Sequence, residues 1–174
     1  MWMRRISFSV AMLGILAIGV PSDAQAQNIF IMGGGVFPTS DFGDVFDTGW
    51  MVAGGITFPL GPGGLWLGVE GSYGQNGTAI DGVDANPIGA MAIVGLDLPV
   101  PGGLSPYVFG GAGLLATKFS VGDLSDTESK FGWQLGAGLD LGSGLISPFI
   151  EARYESSTDI DFFAAMAGLS IGVN

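Results

Sequence analysis

The stretch Phe149-Ile150-Glu151-Ala152-Arg153-Tyr154 sets a carboxylate and a guanidinium two residues apart inside an otherwise apolar run. Only five residues of the chain are Lys or Arg, and two of them, Arg4 and Arg5, lie at the extreme N-terminus. Two kinds of chemistry suit such residues. Paired carboxylates can serve as general acid and base. A buried guanidinium can instead donate to two carboxylates and pin the elements that carry them. Most other chemistry lacks its parts. With no His and no Cys, the chain has no Ser-His-Asp or Cys-His site and no ordinary zinc site. Gly33-Gly34-Gly35 is followed by neither Lys-Ser/Thr nor a helix, so it reads as strand glycine rather than a phosphate loop. Asp81-Gly82-Val83-Asp84-Ala85-Asn86 lacks the spacing and the closing Glu of a calcium loop and reads as a solvated acidic loop. No cofactor and no metal is expected, and no enzyme activity.

The elements that would position Glu151 and Arg153 follow from composition and pattern. Residues 1–26 have a basic start, an apolar run from Ile6 to Val20, Pro21, and Ala24-Gln25-Ala26. This is the order of a secretory signal peptide, too short to span a bilayer comfortably, with cleavage after Ala26 and a mature domain at 27–174. The absence of Cys leaves neither disulfides nor a lipoprotein anchor. Beyond residue 26 the basic residues are Lys118, Lys130 and Arg153, against every acidic residue but Asp23. Such a chain cannot neutralise phosphates, which excludes nucleic acid as a partner. Glycine accounts for 32 of 174 residues, far above the usual share of about 7%. Yet the mean hydropathy is +0.51, which a disordered glycine-rich linker would not have.

Three segments, at 49–74, 89–113 and 132–156, resemble one another. Each is an apolar run, a short Gly/Pro turn (59–64, 99–105, 142–145) and a second run, the pattern of a β-hairpin. One strand before them (28–36) and one after (161–173) bring the expected number to eight. The hairpins are joined by longer acidic linkers at 39–48, 76–86 and 119–130, and by a brief one at 156–160. Short turns at one end and longer loops at the other is the arrangement of outer-membrane barrels.

Period two assigns the faces. Phe131, Trp133, Leu135, Ala137 and Leu139 alternate with Gly132, Gln134, Gly136, Gly138 and Asp140, and residues 65–75 and 88–98 alternate likewise. A soluble barrel would show water a face rich in charge. Here the second face is mostly glycine. The pattern therefore predicts an all-β, eight-stranded antiparallel up-and-down transmembrane barrel, apolar outward to lipid. Closure satisfies every backbone group where no water reaches. The narrow lumen would hold Trp66, Met91, Tyr107, Phe109 and Phe149 in the room left by glycines. Phe58, Trp50, Tyr73, Trp133 and Tyr154 would form interfacial girdles on the outward face. Aligning the repeats on their turns makes Glu70 equivalent to Glu151, and Asp97 to Asp140, all with inward parity. Arg153, Glu151 and Glu70 are thus expected to form a buried structural ion-pair cluster, with Asp97 and Asp140 as the other inward acids. A lumen plugged in this way admits no substrate.

"GVFPTSDFGDVFDTGW", "VEGSYGQNG" and "SKFGWQLGAGLDLGSGLISPFIEARY" resemble the outer-membrane β-barrel domain proteins of the broad OmpA/OmpX/OmpW-like set, over nearly all of 27–174. The resemblance implies an eight-stranded barrel of the bacterial outer membrane, many members of the set having no defined activity. It implies membrane lipids and the barrel-assembly machinery as partners of a monomer. Such barrels often end on an outward aromatic, and Ile171 stands at that place here. The functional expectation is a structural or surface-interaction barrel with a largely plugged lumen. A narrow pore or carrier for small apolar molecules is the alternative, and a loop-mediated adhesin or immune-evasion surface protein is a third.

Overall fold

The computed structural model describes residues 27–39, 43, 46–78, 83–101, 104–121, 124–142, 144–158 and 160–173. The expected signal peptide lies outside them, as do Asp41, Asp44 and Asp81 of the acidic linkers. Eight strands follow in order: β1 (Gln27–Pro38), β2 (Phe46–Pro59), β3 (Leu65–Thr78), β4 (Val83–Asp97), β5 (Ser105–Val121), β6 (Leu124–Asp140), β7 (Ile146–Ser157) and β8 (Asp161–Val173). Each pairs with the next, and β8 pairs antiparallel with β1 from Gln27↔Val173 to Pro38↔Phe162, closing the barrel. No helix among the described residues is long and apolar enough to cross a membrane. The chain crosses with strands, whose closed ladder pairs backbone donors and acceptors between neighbours.

Alternation sets the two faces as the pattern requires. Ile29, Ile31, Val52, Leu67, Val108, Leu135, Ile150 and Leu169 are exposed, forming the outward apolar band. Met32, Met51, Met91, Phe109, Phe149 and Met166 are buried in the lumen, with Trp66 packed half-buried against them. The inward glycines are the holes that these rings fill. A Cβ on Gly95 would strike the Trp66 ring, one on Gly136 the Phe109 ring, and one on Gly138 the Tyr107 ring. At Gly168 it would come within 2.6 Å of Phe149. Outward aromatics pair near the loop end of the barrel: Trp50 with Tyr73 (ring centroids 5.9 Å apart), Trp133 with Tyr154 (5.7 Å) and Tyr154 with Phe163 (4.9 Å). Phe58 shares the outward parity but is only partly exposed.

The short turn after β2 is closed by Leu60 N donating to Leu65 O (2.7 Å), with Gly61 and Gly64 at φ of 86° and 75°. These are left-handed values that a side chain resists. The acidic linkers differ from expectation. Residues 119–121 and 124–130 are ladder rather than loop, paired through Phe119↔Asp126 and Val121↔Leu124. Likewise β2 begins at Phe46, β3 runs to Thr78, and β4 begins at Val83. The apolar alternation stops where lipid stops, but backbone hydrogen bonds keep forming in water. Hydropathy had therefore measured the membrane slab and not the strand.

Candidate functional site

The site is built on β7. Its alternation turns Phe149, Glu151, Arg153 and Glu155 inward, and the β6 residues opposite Glu151 and Arg153 are Gly138 and Gly136. Two glycines thus leave room for two long charged side chains. Arg153 is 1% exposed, and its guanidinium crosses the lumen. Nη1 donates to Glu70 Oε1 on β3, to Gln134 Oε1 on β6 (2.9 Å) and to Glu155 Oε1 (3.2 Å). Nε lies 3.1 Å from Glu151 Oε1. Nη2 points at two thioethers, Met32 Sδ on β1 (3.3 Å) and Met166 Sδ on β8 (3.2 Å). The Phe109 ring of β5 lies beneath, its centroid 6.0 Å from the guanidinium carbon. Tyr107 OH donates to the other oxygen of Glu151 at 2.9 Å. One cation therefore joins side chains of β1, β3, β5, β6, β7 and β8.

β3 and β7 are four strands apart in both directions round the barrel. The Glu70–Arg153 pair consequently spans the lumen rather than bridging neighbouring strands. Three carboxylates, Glu70, Glu151 and Glu155, surround the guanidinium, each less than a tenth exposed. In a low-dielectric interior such groups stay put only when paired, and removing one partner of a buried pair is expensive. On the loop side of this layer Val36, Met51, Leu115 and Phe162 are essentially inaccessible and fill the lumen.

The expected trio of Arg153, Glu151 and Glu70 comes together in space. Asp97 and Asp140 do not join it. They are the last residues of β4 and β6, at the short-turn end, where Asp97 accepts a hydrogen bond from Trp66 Nε1 (3.0 Å). Equivalent places in the repeats gave them equal parity but not equal depth. Sequence reasoning missed Glu155, Gln134, Met32 and Met166. Glu155 was available from parity, two residues beyond Arg153, and Gln134 from the polar face of β6. The methionines carried no signal, because a thioether toward lipid and one toward a guanidinium look alike in sequence. Among the described residues no group of His, Cys, Asp and Glu is placed to hold a metal ion.

The sequence model of the family described as "Outer membrane protein beta-barrel domain" matches residues 8–142. No curated protein matches the chain by sequence. Among solved structures, Neisserial surface protein A superposes with a TM-score of 0.73 at 13% identity, covering 84% of this chain and 97% of that one. The N-terminal β-barrel domain of Pseudomonas aeruginosa OprF gives 0.61 at 16% identity, covering 86% and 98%. The attachment invasion locus protein Ail of Yersinia pestis gives 0.55 at 19% identity, covering 86% and 99%. At these identities the likeness is one of fold.

Proposed function

Since the chain belongs to the outer membrane protein beta-barrel domain family, we propose that it is a small integral barrel of the bacterial outer membrane, closed through its lumen, with a structural or surface role. The observation that carries this reading is the Arg153 layer. A guanidinium 1% exposed and tied across the lumen to Glu70 supports a lumen closed at that level. The same layer argues against catalysis. Its carboxylates are engaged by Arg153 and Tyr107. The lipid-facing band and the closed lumen suit a monomer whose partners are membrane lipids and, during insertion, the assembly machinery. The protein reconstituted in a planar bilayer is expected to show no steady current. A second reading, a narrow pore or carrier, is favoured by one feature, an open cavity at the short-turn end of the lumen. A steady, ion-selective current would replace the first reading with the second.

A further inference from the structure

We propose that the cavity at the short-turn end of the lumen binds a small organic ammonium ion. The cavity measures about 160 Å³ and lies between the ends of the strands, on the other side of the Arg153 layer from the packed loop half. Its size sets the class of guest, since a cavity of about 150 Å³ takes a molecule of benzene size. That suits an ammonium group with a few methyl or methylene carbons.

Its walls set the sign. The ionisable groups that line it are Glu70, Asp97, Asp140, Glu151 and Tyr107, and no Lys or Arg is among the lining residues. Arg153 is committed behind them to Glu70, Glu151 and Glu155. Among the described residues no ion pair reaches Asp97 or Asp140. Glu151 is only 9% exposed, yet its Oε1 accepts no hydrogen bond of good geometry and meets Arg153 only as an ion pair at 3.1 Å.

The aromatic walls set the kind of cation. Trp66 stands in the lining with Tyr107 and Phe109, its ring centroid 6.2 and 6.4 Å from theirs. Phe30 and Phe149, 6.5 Å apart, line the same cavity from β1 and β7. Rings attract a weakly hydrated ammonium through their faces. A hard divalent ion needs a shell of six or more oxygens, and no cluster of the described residues could hold a metal. The Trp66 indole N–H is already tethered to Asp97, so this ring is held in place before a guest arrives.

The test uses the whole barrel in maltoside detergent, titrated calorimetrically with tetramethylammonium chloride, against sodium chloride at matched ionic strength. One-site saturable binding of tetramethylammonium and none of sodium is expected. The Asp97→Asn/Asp140→Asn variant, and separately Trp66→Leu, should weaken binding roughly tenfold, with folding followed by the heat-modifiable shift on a detergent gel. No saturable binding by the unaltered barrel overturns the proposal, and so does an unchanged titration in the folded double variant. Repeating the titration in phosphatidylethanolamine vesicles separates two sources of the guest. A lower apparent affinity there assigns the site to a lipid headgroup ammonium, and an unchanged one assigns it to a free ammonium ion.

Discussion

The two terminal nitrogens of Arg153 have unequal company. Nη1 meets three oxygens, from Glu70, Gln134 and Glu155, while Nη2 meets two thioether sulfurs, which are weak acceptors. The guanidinium is therefore held mainly from one side, and its loss would strand three carboxylates. Arg153→Met should cost about 3–5 kcal/mol of unfolding free energy, read from urea titration in detergent micelles. Glu155→Gln removes one of three carboxylates while leaving the cation paired, so it should cost clearly less than Arg153→Met in the same titration. Equal losses would show that the cluster is not organised round the cation. Lys at position 153 keeps the charge but not the planar fork, and is expected to fall between these two. The small residues beside the site bear on it as directly. A Cβ at Gly136 would press on Phe109, the ring under the guanidinium. Gly136→Val should therefore destabilise by about 1–3 kcal/mol through overpacking, while the same change at Gly63, where a Cβ would meet nothing, should be close to neutral.

At the scale of strands, alternation carried most of the information. Apolar residues on one face and glycine on the other gave the barrel, its inside-out sense and the inward direction of Glu70, Glu151 and Arg153 before any coordinates. Turn glycines such as Gly61 and Gly64 marked the hairpins within a residue or two. Depth along the barrel axis was not legible, because parity repeats every two residues and says nothing of height. Asp97 and Asp140 were therefore read as inward acids like Glu70 and Glu151, with no sign that they lie at the strand ends. Strand length was not legible either, since rungs beyond the alternating runs, such as Phe119↔Asp126 and Ser120↔Ser125, pair as those within them do. These outer rungs should be dispensable. Replacing residues 119–126 by Asn-Gly, a dipeptide suited to a two-residue hairpin turn, closes the ladder at Lys118↔Thr127. The shortened barrel is expected to keep its heat-modifiable shift and to lose no more than about 1 kcal/mol, since a shorter connection closes at little entropic cost. A barrel that no longer shifts would show that the outer hairpin helps to specify the fold.

At the scale of the whole molecule, the barrel divides into a packed loop half and a half that opens toward the short turns, with the Arg153 layer between them. Apolar side chains face outward all round, so the protein's hydrophobic surface is its interface with lipid, and its nearest counterpart to a soluble core is the aromatic and methionine filling of the lumen. The β1–β8 seam closes this arrangement. It joins the first and last strands, so the cylinder is completed only when the two ends of the sheet meet. The Glu70–Arg153 pair belongs to the same late event. Its partners are 83 residues apart in sequence and stand on opposite staves, so it cannot form in a sheet that is inserted but still open. Contacts absent from the transition state act on the escape rate from the native state and hardly at all on the rate of arrival. In a chevron measured in micelles, Arg153→Met should thus steepen the loss by speeding unfolding, with the refolding limb nearly unmoved. The buried cation would then work as a latch on an already closed cylinder, governing how long a barrel lasts in the membrane rather than how it gets there.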